Sequence, residues 1–196
     1  MLRREHNNVV EVKTYSFELN PEMIDVLRRE FEVGKIAAGF AEAIRGKKGA
    51  DADAAAKKYF QGVGREWMAR AIQLGDEYSD RTYEVLMEAI DHTGVYRFPF
   101  LLQRPIEIAY LGLMRIYTLP IVQNFYDRLT FRMVDCPVFK ALTDKCGQAV
   151  TNKLPCQHAC LTACHTVAQN FDIDVAVEMQ GTTPKEGYCQ FCITPI

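Results

Sequence analysis

Several features that would place a chain quickly are missing from this one. Net charge is nearly absent: 23 Lys and Arg stand against 25 Asp and Glu, a formal −2. Without a basic excess there is no electrostatic case for nucleic acid, and the short patch RGKKG at 45–49 reads as a solvated helix end. No N-terminal hydrophobic run of secretory-signal length is present. The most apolar long segment, 106–126, carries Glu107, Arg115 and Pro120, so it reads as a buried helix pair and not a membrane span. Internal repeats and low-complexity tracts are also lacking. The seven cysteines are an odd number, and with no secretion signal they imply reduced thiols and a cytoplasmic location.

What is present suits one globular domain over 1–196. Hydrophobic residues make up 48% of the 196 and charged residues 24%, enough for a well-buried core. Residues 9–18 read as a short strand or an ordered arm. Asn20 and Pro21 open a helical stripe, Met23 to Ile44, that Gly46 can end. A second helix is expected from about Asp53 to Leu74. A third follows a Ser79 or Asp80 cap and stops at Gly94. Pro99 and Pro105 suggest a loop at 96–105, with helix at 106–118 and again at 121–127. Residues 129–137 switch to period two and read as a strand. Helices are expected from Pro137 to Gly147 and over about 155–170, then two strands, DIDVAVEM and GYCQFCIT, across a turn. The fold class expected is α+β: a mostly helical half, 1–127, packed on a small antiparallel sheet with flanking helices, 128–196.

The chemistry concentrates in 154–193, which holds five of the seven cysteines and two of the four histidines. Cys156, Cys160 and Cys164 are spaced by four, a step of roughly 40° on a helix. They share a broad apolar face with Ala163 and Val167, where cysteine serves as a small core residue. His158 and His165 fall on the opposite face, toward solvent, a partner or a pocket. Cys156 sits at the helix start, where unpaired N–H groups favour a thiolate that either attacks or binds metal. Cys136 is a second cysteine at a helix start, with Asp135 as the expected cap. Cys189 and Cys192 point to opposite faces of a strand, which weakens any reading of CQFC as a zinc or redox motif. Glu178, on the polar face of its strand, would complete a three-ligand set with Cys156 and Cys189, leaving an open position on zinc. In the helical half, His92 and Arg97 lie in an aromatic-rich stretch that suits a carboxylate ligand.

The text FRMVDCPVFKAL, then CQHACLTACHTVAQNF, then VEMQGTTPKEGYCQF resembles the L-2-amino-thiazoline-4-carboxylic acid hydrolase family. The arrangement also looks like the V4R (4-vinyl reductase-type) small-molecule-binding domains. The resemblance covers about residues 129–193. It implies a hydrolase that opens a C–N bond in a small heterocycle or cyclic amide, with Cys156 as nucleophile or metal ligand and His158 or His165 as base or acid. His92 and Arg97 would then bind substrate. By likeness to the zinc-binding phenol sensors, Cys156, Glu178 and Cys189 would hold the metal, while Gly181 stands where a further cysteine is expected. The rival expectation is a non-catalytic small-molecule-binding domain with a structural zinc or none. A third is an accessory protein whose cysteines hold a metal or an iron–sulfur cluster. Neither nucleic acid nor membrane is an expected partner, and the apolar 106–126 segment offers a surface for a homo-oligomer.

Overall fold

The computed structural model of the chain describes residues 17–114 and 119–196. The arm expected over 9–18 lies almost wholly outside them, as does the 115–118 end of the helix expected over 106–118. The elements run α1 (Pro21–Glu30), α2 (Val33–Ala43), α3 (Gly49–Glu77), α4 (Arg81–Thr93), α5 (Phe100–Met114), β1 (Ile121–Phe125) and β2 (Arg128–Val134). They continue with α6 (Pro137–Cys146), α7 (Gln148–Thr151), α8 (Gln157–Asn170), β3 (Val175–Gly181), α9 (Thr183–Glu186) and β4 (Tyr188–Pro195). The fold is α+β, as expected, with an antiparallel sheet in the order β1-β2-β4-β3.

Local chemistry explains most helix ends. Asn20 Oδ1 accepts from the Glu22 N–H at 2.8 Å, with Pro21 in the first turn. Asp80 Oδ1 accepts from the Tyr83 N–H at 2.9 Å, and Gly94 closes α4 at φ +70°. The single helix expected from Asn20 to Gly46 divides at Phe31, which leaves helical geometry (φ −108°, ψ 61°), and Glu32 is extended before α2 begins.

Two further expectations fail. The stretch 96–105 is no loop beyond Pro99, because α5 starts at Phe100 and takes Pro105 inside it. The ring removes one backbone N–H, and with it the bond to the Leu101 carbonyl. Burial outweighs that loss: Leu101 to Leu113 are buried without a break, including Gln103, Arg104 and Glu107. Arg104 fixes α5 to the end of α3. Its Nε donates to Asp80 Oδ2 at 2.8 Å, Nη1 to the Gly75 carbonyl at 2.7 Å and Nη2 to the Tyr78 carbonyl at 2.8 Å. The second failure is the helix expected at 121–127. Ile121–Phe125 is strand β1, and Phe125 pairs with Arg128 across the two-residue turn Tyr126-Asp127.

On the core face of the sheet, Leu129, Phe131 and Met133 lie opposite Ile193, Phe191 and Cys189. Rings continue the core into the helices: Trp67 to Tyr110 at 4.8 Å, Tyr110 to Phe131 at 5.1 Å, Phe131 to Phe191 at 5.4 Å between centroids. The other face carries Arg132 beside Gln190 and Thr130 beside Cys192. α8 packs against α3 and β3. It approaches α3 at Gly64, where a Cβ would stand 2.0 Å from the Ala159 carbonyl oxygen.

Candidate functional site

A cavity of about 40 Å³ lies between α3, α8 and the core face of β2 and β4. That is room for about three or four waters, at roughly 10–15 Å³ each. Trp67, Phe60 and Val63 of α3 form one wall; Met133 and Phe191 of the sheet form another. Four thiols also border it: Cys136, Cys156, Cys160 and Cys189 all line this one space. A wider vestibule of about 250 Å³ adjoins it, with Lys153 and Lys185 at its exposed rim. Phe139, Cys156, Gln157, Thr183 and Cys189 border both.

Each thiol arrives by a different local route. Cys136 precedes Pro137 and caps α6: its Sγ accepts from the Phe139 N–H at 3.4 Å. Asp135, the expected cap, is instead exposed at φ +51°. Cys156 is the N-cap residue of α8, and Cys160 follows one turn later. Cys189 enters from β4 on the core face, opposite Met133, with its Sγ 3.2 Å from Thr183 Oγ1.

Burial dominates the electrostatics. It pushes the Cys156 thiol up to about 12, and the neighbouring Cys136 and Cys189 push it the same way. The N–H groups of Cys156 and Gln157 pull it down without prevailing, so the thiolate expected from the helix start is not favoured. Cys136 stands at about 11, chiefly through burial, and Cys160 is raised well above the ordinary thiol range for the same reason. Tyr110 Oη, also buried, has no hydrogen-bond partner in bonding geometry; the Cys160 thiol is beside it.

The structure brings only part of the expected site together. Cys156 and Cys189 meet at the cavity. Glu178 does not join them. It pairs with Cys192 on the other face of the sheet, is exposed, and accepts from Gln180 Nε2 at 3.2 Å. Among the described residues, no three His, Cys, Asp or Glu side chains form a group able to hold a metal ion. The zinc expectation is corrected accordingly: its carboxylate and its thiols lie on opposite sides of a strand pair. His165 is exposed and His158 half-buried; neither lines the cavity or the vestibule. Burial, then Lys57, lowers the His158 pKa. His92 is exposed in the last turn of α4. Arg97 Nη2 donates to the Phe171 carbonyl at 2.5 Å, tying its loop to the end of α8 and not to a carboxylate ligand.

The residues that sequence reasoning undervalued are Cys136 and Cys160, assigned to capping and packing, and Tyr110. A signal for Cys160 was present, since the C-x-x-x-C step puts it on the same helix face as Cys156. Nothing local announces that Cys136 and Cys189 join them, because those contacts span the chain.

No family model and no curated protein matches the chain. Among solved structures it is similar to H-NOX domains. A mutant of T. tengcongensis H-NOX is 11% identical, with 89% of this chain and 93% of that one covered and a TM-score of 0.33. An oxygen-binding H-NOX domain related to soluble guanylate cyclases is 10% identical, with 88% and 90% covered and a TM-score of 0.32. A Cs H-NOX carrying 4-cyano-L-phenylalanine is 13% identical, with 88% and 92% covered and a TM-score of 0.33. Overlaps this loose transfer no ligand to this chain. The expected membership of the thiazoline-carboxylate hydrolase family and the kinship with V4R domains are corrected accordingly: no model of either family matches the chain. The expectation of C–N bond hydrolysis rested on that resemblance and falls with it. Among the described residues no helix is long and apolar enough to cross a membrane.

Proposed function

We propose that the chain is a non-catalytic small-molecule-binding domain that encloses a compact guest between α3, α8 and the sheet. The observation that carries this reading is the cavity itself: an apolar chamber with four thiols in its wall. A well-packed core closes such voids, and each one left open forfeits contacts. The chamber also lacks what turnover needs. Among the described residues no histidine or carboxylate lines it, and burial raises the thiols of Cys136, Cys156 and Cys160. The adjoining vestibule supplies a route inward past Cys156 and Cys189.

The test is a series of neutral apolar probes of increasing size, from xenon and ethylene to phenol, read by melting temperature and calorimetry. Small members should raise the melting temperature in proportion to occupancy. The variant Ala159→Leu, which fills the chamber from α8, should abolish that response. If no probe binds and the variant is as stable as the parent or more so, the chamber is a packing defect and the reading fails.

A further inference from the structure

We infer that the guest is an amphipathic anion, with a short apolar tail in the chamber and a negatively charged head in the vestibule, met there by Lys153 and Lys185. The inference rests on the binding reading above and names its ligand class.

Polarity is divided between the two spaces. Among the described residues no charged side chain borders the chamber, whose wall is aliphatic, aromatic and sulfur apart from Gln157 and Thr183. The vestibule that adjoins it is bordered by two charges of one sign, Lys153 and Lys185, and by no described carboxylate. Neither lysine is neutralised: both are exposed, and neither is in an ion pair with a described carboxylate. Glu186, next to Lys185 in the chain, accepts from the Thr182 N–H at 2.7 Å and does not border the vestibule. Two unopposed ammonium groups at the mouth of an apolar space raise the local concentration of anions. Exposed charges alone hold an anion weakly, and a tail buried beyond them adds the missing affinity.

The chain builds rim and neck together. Lys153 leads into Cys156 at the start of α8, and Lys185 leads through α9 into Cys189 on β4. Size then limits the tail. A chamber of about 40 Å³ takes about three or four carbons, a methylene and a water being of similar size. Further carbons lie in the neck, past Phe139, Cys156 and Cys189, which border both spaces. An ammonium is a point charge without the planar fork that favours a carboxylate, so the head is a carboxylate or a phosphate monoester.

The experiment titrates the purified protein by calorimetry with straight-chain acids from butyrate to octanoate, with the alcohols and amines of equal length, and with octyl phosphate. Affinity for the acids should rise about fourfold per added methylene until the chamber is full. At low salt each acid should bind about three- to tenfold more tightly than its alcohol, the amine should bind least, and added salt should shrink the difference. Whichever of octanoate and octyl phosphate gains more over octanol identifies the head. Lys153→Gln with Lys185→Gln should bring the acid down to the alcohol. Lys47→Gln with Lys58→Gln, the same charge change at the groove between α2 and α3, should keep the preference. Ala159→Leu should flatten the dependence on chain length. If neither head binds more tightly than the alcohol, or if the preference survives loss of Lys153 and Lys185, the inference is overturned. Both results rest on the parent or on changes to exposed side chains, so neither depends on a core variant folding. Alcohols or xenon bound with no gain for an anion sink the amphipathic guest and leave the chamber standing; no binding of any probe sinks both.

Discussion

The thiols of Cys136 and Cys156 carry a consequence for stability that does not depend on any guest. Their folded pKa values, about 11 and about 12, lie above that of a cysteine in the unfolded chain, about 8.5. A raised acid is stabilising while both states stay protonated. Above the unfolded value, the unfolded chain sheds protons that the folded chain keeps, so it is favoured. The stability these thiols contribute is therefore complete below about pH 8.5 and is lost as pH rises through 11 to 12. Urea unfolding followed from pH 7 to 11 should show a falling midpoint above pH 9, with a shallower fall in Cys156→Ala than in the parent. An equal slope in both would show that Cys156 is not buried as described. At this scale Tyr110 and Cys160 also make sense together, since a hydroxyl with no oxygen partner is left against a sulfur.

At the scale of elements, the packing of α8 on α3 shapes the chamber, and Gly64 is what permits it. A methyl group there would meet the Ala159 carbonyl at 2.0 Å, and backbone cannot swing aside as a side-chain end can. Gly64→Ala is expected to cost about 1–3 kcal/mol in unfolding free energy and to speed maleimide labelling of Cys156 and Cys160 as α8 is pushed outward. Gly62→Ala, on the same helix with nothing within 4 Å of the new carbon, should instead gain up to about 1 kcal/mol. Equal effects from the two would mean that α8 does not lie where it is described. Elements were also where the sequence was most legible. The period-two alternation of Ile173 to Met179 and the apolar face of α8 both report a local preference that tertiary structure leaves in place. Pro105 and Ile121–Phe125 were misread because non-local burial decided them. An all-buried α5 absorbs a proline, and the five residues IVQNF, too short to show a period, become strand by pairing with β2.

At the scale of the molecule, the candidate site is a product of topology. Cys136 leaves β2, Cys156 and Cys160 open α8, and Cys189 returns on β4 at the sheet centre beside β2. The sequence offered a trio of Cys156, Glu178 and Cys189 because hairpin proximity is easy to read along the chain. The face on which each side chain lands is set by register, and register put Glu178 opposite Cys192. The helical first half and three strands of the antiparallel sheet were legible, but β1 was not; nor was the chamber, because its walls come from α3, α6, α8, β2 and β4 at once.

The central claim is that this chamber is a place for a guest. A crystal of the protein held under xenon pressure tests it most directly. The account predicts xenon density within the space bounded by Cys136, Cys156, Cys160 and Cys189, absent in Ala159→Leu. Density only elsewhere in the core, or none at all, would contradict it.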